Sequence, residues 1–242
     1  MPHPLAAEMA PTGTLRAAIN MGNFLLVTGK TASGDPEGVA PSMAAAFAER
    51  LGVPVQYFPY ATPGELADAS AEDIWDVGFV GAEPQRATYV DFTPAYVEIE
   101  ATYMVPEGSP FQSCAEVDAP GVKIAVSARA AYDLWLERNI KNAELHRAKG
   151  LDASFELFRN QKMDALAGLR PKLIDDVQKM PGARMLPDKF TAVQQASCTK
   201  KGRDAGFKML YDFIEEMKAN GYVESLIDKF GVTGRLSVAP PG

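Results

Sequence analysis

Arg86 is the residue whose chemistry is easiest to specify from the sequence. Its guanidinium is a planar fork of N–H donors that can pair with both oxygens of a carboxylate. Gly81 and Ala82 precede it with little side chain, so their backbone N–H groups can reach an anion without steric obstruction. The same residues also fit a solvated Arg on a short helix and small residues that end a buried strand. Anion binding is therefore one of two interpretations here.

A second group of anion-binding candidates lies at Ser127–Ala131, where an apolar strand leads into a helix. The first N–H groups of a helix have no intrahelical partners, and the helix dipole is positive at that end, so negative charge is favoured. Arg129 adds a cation, unless it is simply a solvated residue at the helix start. The candidates in this segment are Ser127, Ala128, Arg129 and Ala130.

Metal, nucleotide and triad chemistry lack the residues they need. His3 and His146 are the only histidines, and neither has a partner at metal-ligand spacing or the companions of a Ser-His-Asp arrangement. The segment Gly29–Thr31 resembles the end of a phosphate-binding loop, but Phe24 stands where the first glycine would be required. The sequence therefore predicts no metal and no cofactor.

Composition narrows the partners. The chain has 242 residues, 47% of them hydrophobic, which is ample for one large domain or two small ones. Its net charge is −7 and no run of Lys or Arg is dense, so nucleic acid is not an expected partner. The longest apolar stretches, such as Phe24–Val27 and Ala165–Leu169, are far shorter than the roughly 20 residues of a membrane span.

Two cellular compartments are compatible with the sequence. The first dozen residues lack the basic start and apolar core of a secretory signal peptide. The location is therefore periplasmic or extracytoplasmic if such a peptide has been removed, and cytoplasmic otherwise. Cys114 and Cys198 allow at most one disulfide, and we expect free, inert thiols because a chain of this size folds without a bridge.

The first half of the chain alternates strands with helices, which predicts an α/β sheet with mostly parallel strands. Met43, Phe47 and Leu51 recur every four residues and predict a helix that Ser42 caps. Thr62–Glu65 has the capping-box pattern with Pro at the first helical position, so another helix starts there. The strands predicted in this half are Leu15–Asn20, Val53–Tyr57 and Trp75–Val80.

The second half repeats this pattern, and the tail departs from it. Its predicted strands are Ala101–Val105, Val122–Val126, Asp164–Ala167 and Thr191–Ala196, and its predicted helices are Ala130–Arg138, Ser154–Asn160 and Pro171–Met180. The tail has two amphipathic helices separated by Asn220–Gly221, with no clear strand after them. We expect this helical pair to pack against the first α/β unit.

Five stretches, in order along the chain, resemble the family 3 extracellular solute-binding proteins, the polar-amino-acid receptors of ABC transporters. The strongest match is Arg86 followed by Val90–Tyr96, which reads VDFTPAY. The other stretches are Leu15–Ile19, Gly38–Gly52, Val122–Tyr132, and Asn220–Tyr222 with Lys229–Gly231. Single motifs of this kind match by chance, but an ordered series over residues 13 to 232 does not.

The resemblance implies a two-lobed α/β fold of the periplasmic-binding-protein type II, with a hinge of two crossings and a ligand cleft between the lobes. Lobe 1 is expected at residues 1–98 plus 199–242, and lobe 2 at 99–198. The crossings are expected near Glu98–Glu100 and Gln195–Cys198. The implied molecule is a monomer that closes on its ligand and delivers it to the membrane subunits of an ABC transporter.

The resemblance also implies which residues hold the ligand. Arg86 falls where the family grips the ligand carboxylate, with Gly81, Ala82 and Glu83 beside it. Asn20, Asn23 and Phe24 follow the first strand, where the family supplies contacts that often include an aromatic platform, although Phe24 also fits a core position. Near the second crossing either Gln194 or Gln195 should face the ligand, because neighbouring strand residues point to opposite sides.

Two departures from the family pattern bear on the ligand. Ser42 and Leu169 stand where the family commonly has Asp, and the second Asp usually meets the ammonium group of the ligand. An ammonium buried against Leu169 would cost roughly several kcal/mol. We therefore hypothesise an oxo-, hydroxy- or dicarboxylate ligand, with Arg170 either pairing with a second carboxylate or solvated. Glu83, Glu98 and Glu100 remain possible substitutes for the missing acid, so an amine-bearing ligand stays open.

Two other function classes share this fold. The chain is similar to cyclohexadienyl dehydratases, in which a carboxylic acid in the cleft donates a proton, and Glu83 is the candidate here. A sensor module that reports ligand binding to a partner is the third class. Capture of a small carboxylate without catalysis is the function that the resemblance favours.

Overall fold

The computed structural model describes residues 2–242 and divides the chain into two compact units. Unit 1 contains the residues up to Glu98 together with Gln194–Gly242, and unit 2 contains Ile99–Val193. The chain passes between the units twice, once within the strand Val90–Val105 and once within the strand Thr191–Lys200. Unit 1 is therefore built from two separate parts of the sequence.

Twelve strands and eight α-helices lie within residues 2–242. In chain order the strands are β1 (Leu15–Asn20), β2 (Gly29–Lys30), β3 (Pro36–Glu37), β4 (Val55–Tyr60), β5 (Val77–Gly81), β6 (Val90–Val105), β7 (Lys123–Ser127), β8 (Glu144–Ala148), β9 (Ala165–Leu169), β10 (Arg184–Met185), β11 (Thr191–Lys200) and β12 (Ser237–Val238). The helices are α1 (Ala6–Met9), α2 (Val39–Leu51), α3 (Pro63–Asp68), α4 (Ala131–Asn139), α5 (Leu151–Asn160), α6 (Arg170–Val177), α7 (Asp204–Ala219) and α8 (Tyr222–Lys229). None of these helices has the length and apolar composition that spanning a bilayer requires.

The sheet of unit 1 is mixed. Strand β1 pairs in parallel with β4 on one side and with β5 on the other. Strand β11 then pairs antiparallel with β5, with Gln195 opposite Gly81. Helices α2 and α8 pack together, and a contact between Phe47 and Phe213, with ring centroids 5.2 Å apart, joins α2 to α7. The tail thus completes the core of unit 1, as the sequence predicts.

The strands of unit 2 are paired on a similar plan. Strand β7 pairs in parallel with β8 and with β9, and β9 pairs antiparallel with the end of β6, where Ala101 lies opposite Leu169. Helix α5 lies against this sheet, and Phe155 and Phe158 are nearly fully buried among Met104, Leu166 and Leu173. Each unit therefore buries a separate hydrophobic core.

Several sequence predictions need correction at the element boundaries. Residues 90–105 form one continuous strand, because Thr93 bonds to the backbone of Ser197 and extends the pairing towards the chain crossing. Helix α2 begins after Gly38, so Ser42 lies inside the helix and does not cap it. The capping role of Thr62 is confirmed, because its side chain accepts a hydrogen bond from the Glu65 N–H at 3.2 Å. The short strands β8 and β12 were not predicted.

Both cysteines are free and buried. Burial raises the pKa of Cys114 to about 11 and the pKa of Cys198 to about 12. Because the thiolate is the reactive form, both thiols are poor nucleophiles at neutral pH.

A buried ion cluster centred on Asp76 joins the parts of unit 1. Asp76 is fully buried, and its carboxylate accepts hydrogen bonds from the backbone N–H and the guanidinium of Arg16 at 2.8–3.0 Å. Arg203, which precedes α7, donates to the same carboxylate at 3.2 Å. The backbone carbonyl of Asp76 accepts from Thr199 at 2.9 Å. Asp76, which directly precedes β5, therefore links β1 and the start of α7 through its side chain and β11 through its backbone carbonyl.

Replacing Asp76 by Ala should lower the stability of unit 1, because two guanidinium groups would lose the buried carboxylate that they share. We expect a loss of about 3–5 kcal/mol in the free energy of unfolding, the usual result of breaking a buried ion pair. Urea denaturation followed by circular dichroism measures this change.

Asp73 provides the matched control, because it also pairs with Arg16 but its side chain is 78% exposed. Solvent screens such a pair, so Asp73→Ala should leave the denaturation midpoint nearly unchanged. Equal effects of the two substitutions would contradict the assignment of Asp76 as the central buried charge.

Candidate functional site

In unit 1 the predicted site residues come together at one edge of the sheet. Strands β1, β4 and β5 are parallel, so their carboxyl ends lie at the same edge. Ile19 is opposite Phe79, which places Asn20 next to the end of β5. Crevices at the carboxyl ends of parallel strands are where open α/β sheets bind ligands. The loops after β1 and β5 therefore form the candidate site of unit 1.

The turn after β5 holds Arg86 firmly. The carbonyl of Glu83 accepts hydrogen bonds from the Arg86 N–H at 2.9 Å and the Ala87 N–H at 3.0 Å. The guanidinium of Arg86 donates to the carbonyl of Gly81, and only 5% of the residue is exposed. Ala82 is fixed by a 2.7 Å hydrogen bond from its N–H to the carbonyl of Gln194. Arg86 is thus an immobilised cation next to the end of β5.

Arg86 also borders the hydrophobic interior of unit 1. It lines a cavity of about 10 Å³ together with Leu66, Trp75, Val80 and Cys198. A space of this size holds at most one water molecule. Apolar packing on this side and the Gly81 carbonyl restrict the guanidinium to a narrow range of positions.

The loop after β1 is stabilised by its own asparagines. The side-chain oxygen of Asn20 accepts from the Gly22 N–H at 3.1 Å, and that of Asn23 accepts from the Leu25 N–H at 3.2 Å. Both residues are less than 10% exposed, whereas Phe24 is half-buried. Such local side-chain bonds are typical of tight turns. The turn leaves the ring of Phe24 partly accessible.

Gly38 fixes this loop against helix α2. A Cβ atom at position 38 would lie 2.3 Å from the carbonyl oxygen of Leu26, and the backbone φ of 150° disfavours any other residue. The same carbonyl accepts a hydrogen bond from the Ala40 N–H at 3.1 Å. The close approach that only glycine permits therefore sets the position of the loop that carries Asn23 and Phe24.

Gln195 and Gln194 lie where β11 pairs with β5. Gln195 is opposite Gly81 and only 5% exposed, whereas the side chain of Gln194 donates to Glu98 at 2.8 Å. The backbones of both residues therefore lie beside the Gly81–Arg86 turn, and the side chain of Gln194 is directed to Glu98.

Unit 2 gathers its predicted residues at the carboxyl edge of its own sheet. Strands β7, β8 and β9 are parallel, so Ser127 at the end of β7 and Leu169 at the end of β9 lie at the same edge. Ser127 is 5% exposed and Ala130 is 8% exposed, and α4 begins at Ala131. Ala128 is held by a 2.8 Å hydrogen bond from its N–H to the carbonyl of Ala148.

Asp133 holds the loop before α4 in an unusual conformation. Its carboxylate accepts the backbone N–H of Arg129 at 2.7 Å and the Nε of Arg147 at 2.9 Å. Asp133 is 1% exposed, and this burial raises its pKa while the bonds from Arg129 and Arg147 act in the opposite direction. Arg129 has a φ of 60°, in the left-handed region that L-residues other than glycine rarely occupy. Asp133 and Arg147 therefore position a strained residue.

Leu169 and Arg170 differ in how far their side chains are already engaged by other residues of unit 2. Leu169 is an apolar, 6% exposed residue at the end of β9, and Arg170 begins α6. The guanidinium of Arg170 donates to Glu100 at 2.8 Å and to the carbonyls of Leu186, Pro187 and Asp188. Glu100 also accepts from Lys189, and these cations lower its pKa. Arg170 thus links β6 to the loop before β11, and we leave it out of the proposed site.

Three residues of this environment were not identified from the sequence. Asp133 lies in the first turn of a helix, where an acidic residue is common, so its position carried a weak signal. Arg147 contacts it only because of the register between β7 and β8, and β8 was not predicted. Arg235, whose guanidinium carbon lies 5.4 Å from the centre of the Phe24 ring, is brought there by the return of the C-terminal segment.

Residues 22–233 match the family described as bacterial extracellular solute-binding proteins, family 3. The chain belongs to this family. It is therefore a solute-binding protein, and its fold is the periplasmic-binding-protein type II α/β fold that the sequence predicts. No curated protein matches the sequence.

Solved structures of similar fold have low sequence identity to this solute-binding protein. An ancestral amino-acid-binding protein, a precursor of cyclohexadienyl dehydratase, superposes with a TM-score of 0.74 at 20% identity, over 92% of this chain and 97% of the other. A putative ABC-transporter binding component from Wolinella succinogenes, complexed with lysine, gives the same four values. An amino-acid ABC-transporter protein from Streptococcus pneumoniae, bound to L-arginine, has a TM-score of 0.73 at 19% identity over 92% and 96%.

Because the backbone at Arg129 is strained, we expect glycine at this position to give a more stable protein than alanine. Glycine normally destabilises a protein relative to alanine, but at a φ of 60° it removes about 1 kcal/mol of steric cost. Arg129→Gly should therefore unfold at higher urea concentration than Arg129→Ala. Both variants lack the guanidinium, so chemical denaturation of the pair isolates the backbone term. A less stable glycine variant would show that position 129 is not strained.

Proposed function

We propose that this solute-binding protein captures a small carboxylate ligand related to amino acids and delivers it to an ABC transporter. The observation that carries the proposal is the immobilised guanidinium of Arg86 next to the carboxyl end of β5. A fixed planar fork recognises a carboxylate at a lower entropy cost than a mobile one. The amino-acid ligands of the structural neighbours support the same ligand class.

The loop before α4 supplies a second set of groups for an anion. The positive end of the α4 dipole and the cation of Arg129 both favour negative charge. Asp133 holds the loop in place through the Arg129 N–H, so its geometry exists before ligand binding. Preorganised donors of this kind raise affinity because little order is lost on binding.

The ligand in this proposal lacks a conventional α-ammonium group. Leu169 offers only apolar surface at the end of β9. Of the acids that could replace the missing Asp, Glu100 already pairs with Arg170 and Lys189. Glu98 accepts a hydrogen bond from the neutral amide of Gln194, and Glu98 and Glu83 stay candidates for pairing with an amine. An ammonium placed against Leu169 would be poorly compensated. Oxo-, hydroxy- and dicarboxylates avoid this cost.

Arg86→Lys should weaken carboxylate binding at least 10-fold, because an ammonium cannot form two parallel hydrogen bonds to one carboxylate. Isothermal titration with pyruvate, 2-oxoglutarate, alanine and glutamate measures the effect. Arg50→Gln is the charge control, since Arg50 pairs with Glu216 on α7. Unchanged affinity in Arg86→Lys, or equal losses in both variants, would refute the role of Arg86.

A panel of paired acids tests the absence of an ammonium group. We expect pyruvate and 2-oxoglutarate to bind at least 10-fold more tightly than alanine and glutamate, because each pair differs mainly in the ammonium. Titration calorimetry of the unmodified protein gives the ratio directly. Tight binding of the amino acids alone would end the hypothesis of an ammonium-free ligand while leaving capture intact.

A further inference from the structure

Unit 2 contains a second cavity, of about 350 Å³, which lies within the size range of small-molecule pockets. The side chains that matter in its wall are Tyr103, Cys114, Asp118, Trp135, Asp188 and Phe190. Helix α4 begins at the carboxyl edge of the sheet, and Trp135 and Asn139 of the cavity wall lie about one and two turns further along it. The cavity is therefore a different place from the loop that carries Ser127 and Arg129.

Three aromatic rings contribute to the wall. The ring centre of Phe190 lies 4.7 Å from that of Tyr103 and 5.5 Å from that of Trp135. The Phe190 N–H donates to the carbonyl of Ala101 at 3.1 Å, which fixes the segment that carries the central ring. Aromatic faces contact the apolar part of a ligand and attract a positive charge.

The hydroxyl of Tyr103 lacks a hydrogen-bond partner among residues 2–242, although the residue is only 1% exposed. Burial raises the pKa of Tyr103, and Cys114 and Asp118 act in the same direction, so the hydroxyl is neutral at physiological pH. These two neighbours also line the cavity, which places the hydroxyl on the same side. A buried hydroxyl without a partner is costly, and a ligand in the cavity can supply one.

Two carboxylates complete the wall. Asp188 accepts the Cys114 N–H at 3.0 Å, and Asp118 accepts the N–H groups of residues 141–143 at 2.7–3.2 Å. Burial acts to raise the pKa of Asp118, but these hydrogen bonds outweigh it and lower the pKa. Lys189 also borders the cavity, and it pairs with Glu100 at 3.1 Å. The acceptors of the wall thus favour a positively charged ligand.

We propose that this cavity binds a small organic ammonium ion with an apolar body. The Tyr103 hydroxyl and the carboxylates accept the N–H groups of the ammonium, and the rings of Trp135 and Phe190 contact the body. The inference goes beyond the proposed function and does not rest on it, because neither Arg86 nor a ligand carboxylate takes part.

Three probes of similar shape and different charge test this inference: 2-phenylethylammonium, neutral 2-phenylethanol and anionic 3-phenylpropionate. We expect the unmodified protein to bind the ammonium ion about 10-fold more tightly than either of the others, because only the ammonium satisfies the acceptors of the wall. Isothermal titration measures the three affinities. Binding should also change the tryptophan fluorescence, and Trp135→Phe should abolish that change because Trp75 is fully buried in unit 1.

Two substitutions remove the acceptors separately. Tyr103→Phe should weaken binding of 2-phenylethylammonium about 10-fold, the usual effect of a lost hydrogen bond to a charged group. It should not lower the unfolding temperature, because the deleted hydroxyl has no partner in the fold. Asp188→Asn removes a charge at the exposed rim and keeps an oxygen for the Cys114 N–H, so a smaller loss of about 3-fold is expected.

Unit 1 offers a matched control for each substitution. Tyr96→Phe deletes another buried hydroxyl that has no partner among the described residues, and Asp212→Asn removes an exposed carboxylate that pairs with Lys208. Neither control should change the affinity for 2-phenylethylammonium.

The inference is overturned if 2-phenylethylammonium fails to bind at millimolar concentration or binds no better than 2-phenylethanol. It is also overturned if Tyr103→Phe, folded by thermal unfolding, binds the probe as tightly as Tyr96→Phe does. None of these results bears on carboxylate capture through Arg86, which is measured with other ligands.

Discussion

The parallel pairing of strands is the constraint on which the candidate site depends. In unit 1 β1 lies between β4 and β5, and in unit 2 β7 lies between β8 and β9. Parallel strands place all their carboxyl ends at one edge, so the residues that follow them converge although they are distant in sequence. The loops after Asn20 and Gly81 are brought together in this way, and so are Ser127 and Leu169. The hydrophobic cores stabilise the two units, and the direction of the strands determines which residues meet in each candidate site.

The guanidinium groups of the two units are held by carboxylates or by backbone carbonyls, and the partner affects how each can act. Arg16 and Arg203 share the buried carboxylate of Asp76, so their charge is partly compensated within the fold. Arg170 is likewise tied to Glu100. One hydrogen bond of the Arg86 guanidinium goes to the carbonyl of Gly81, which orients the group next to the end of β5. A guanidinium held in one orientation recognises a carboxylate at a lower entropy cost than a mobile one.

The sequence predicted the secondary structure well where one periodicity prevailed. The stripe of Met43, Phe47 and Leu51 identified α2, and the cap at Thr62 identified α3. The predicted element boundaries were wrong where tertiary contacts determine them. One example is the start of α2 after Gly38, where the backbone of Leu26 approaches too closely for a side chain. Sequence rules for helix caps favour a hydroxyl residue such as Ser42 as the start of α2. The close backbone contact at Gly38 instead makes the helix begin four residues earlier.

The candidate site was predictable only in part, for a related reason. Arg86 could be named as a candidate because its signature is local in sequence. Asp133 and Arg147 meet through strand register, and Arg235 meets Phe24 through the return of the chain tail. Contacts of this kind leave no local pattern, because each residue by itself resembles a solvated surface charge.

The separation between scaffold and specificity follows from the same facts. Structural neighbours share the fold at about 20% identity, so the backbone tolerates extensive replacement of the residues it displays. In the function proposed above, the choice of ligand depends on side chains at the ends of strands, such as Leu169, whose apolar surface leaves an ammonium group uncompensated. Side chains in such positions can change while the hydrophobic cores stay the same.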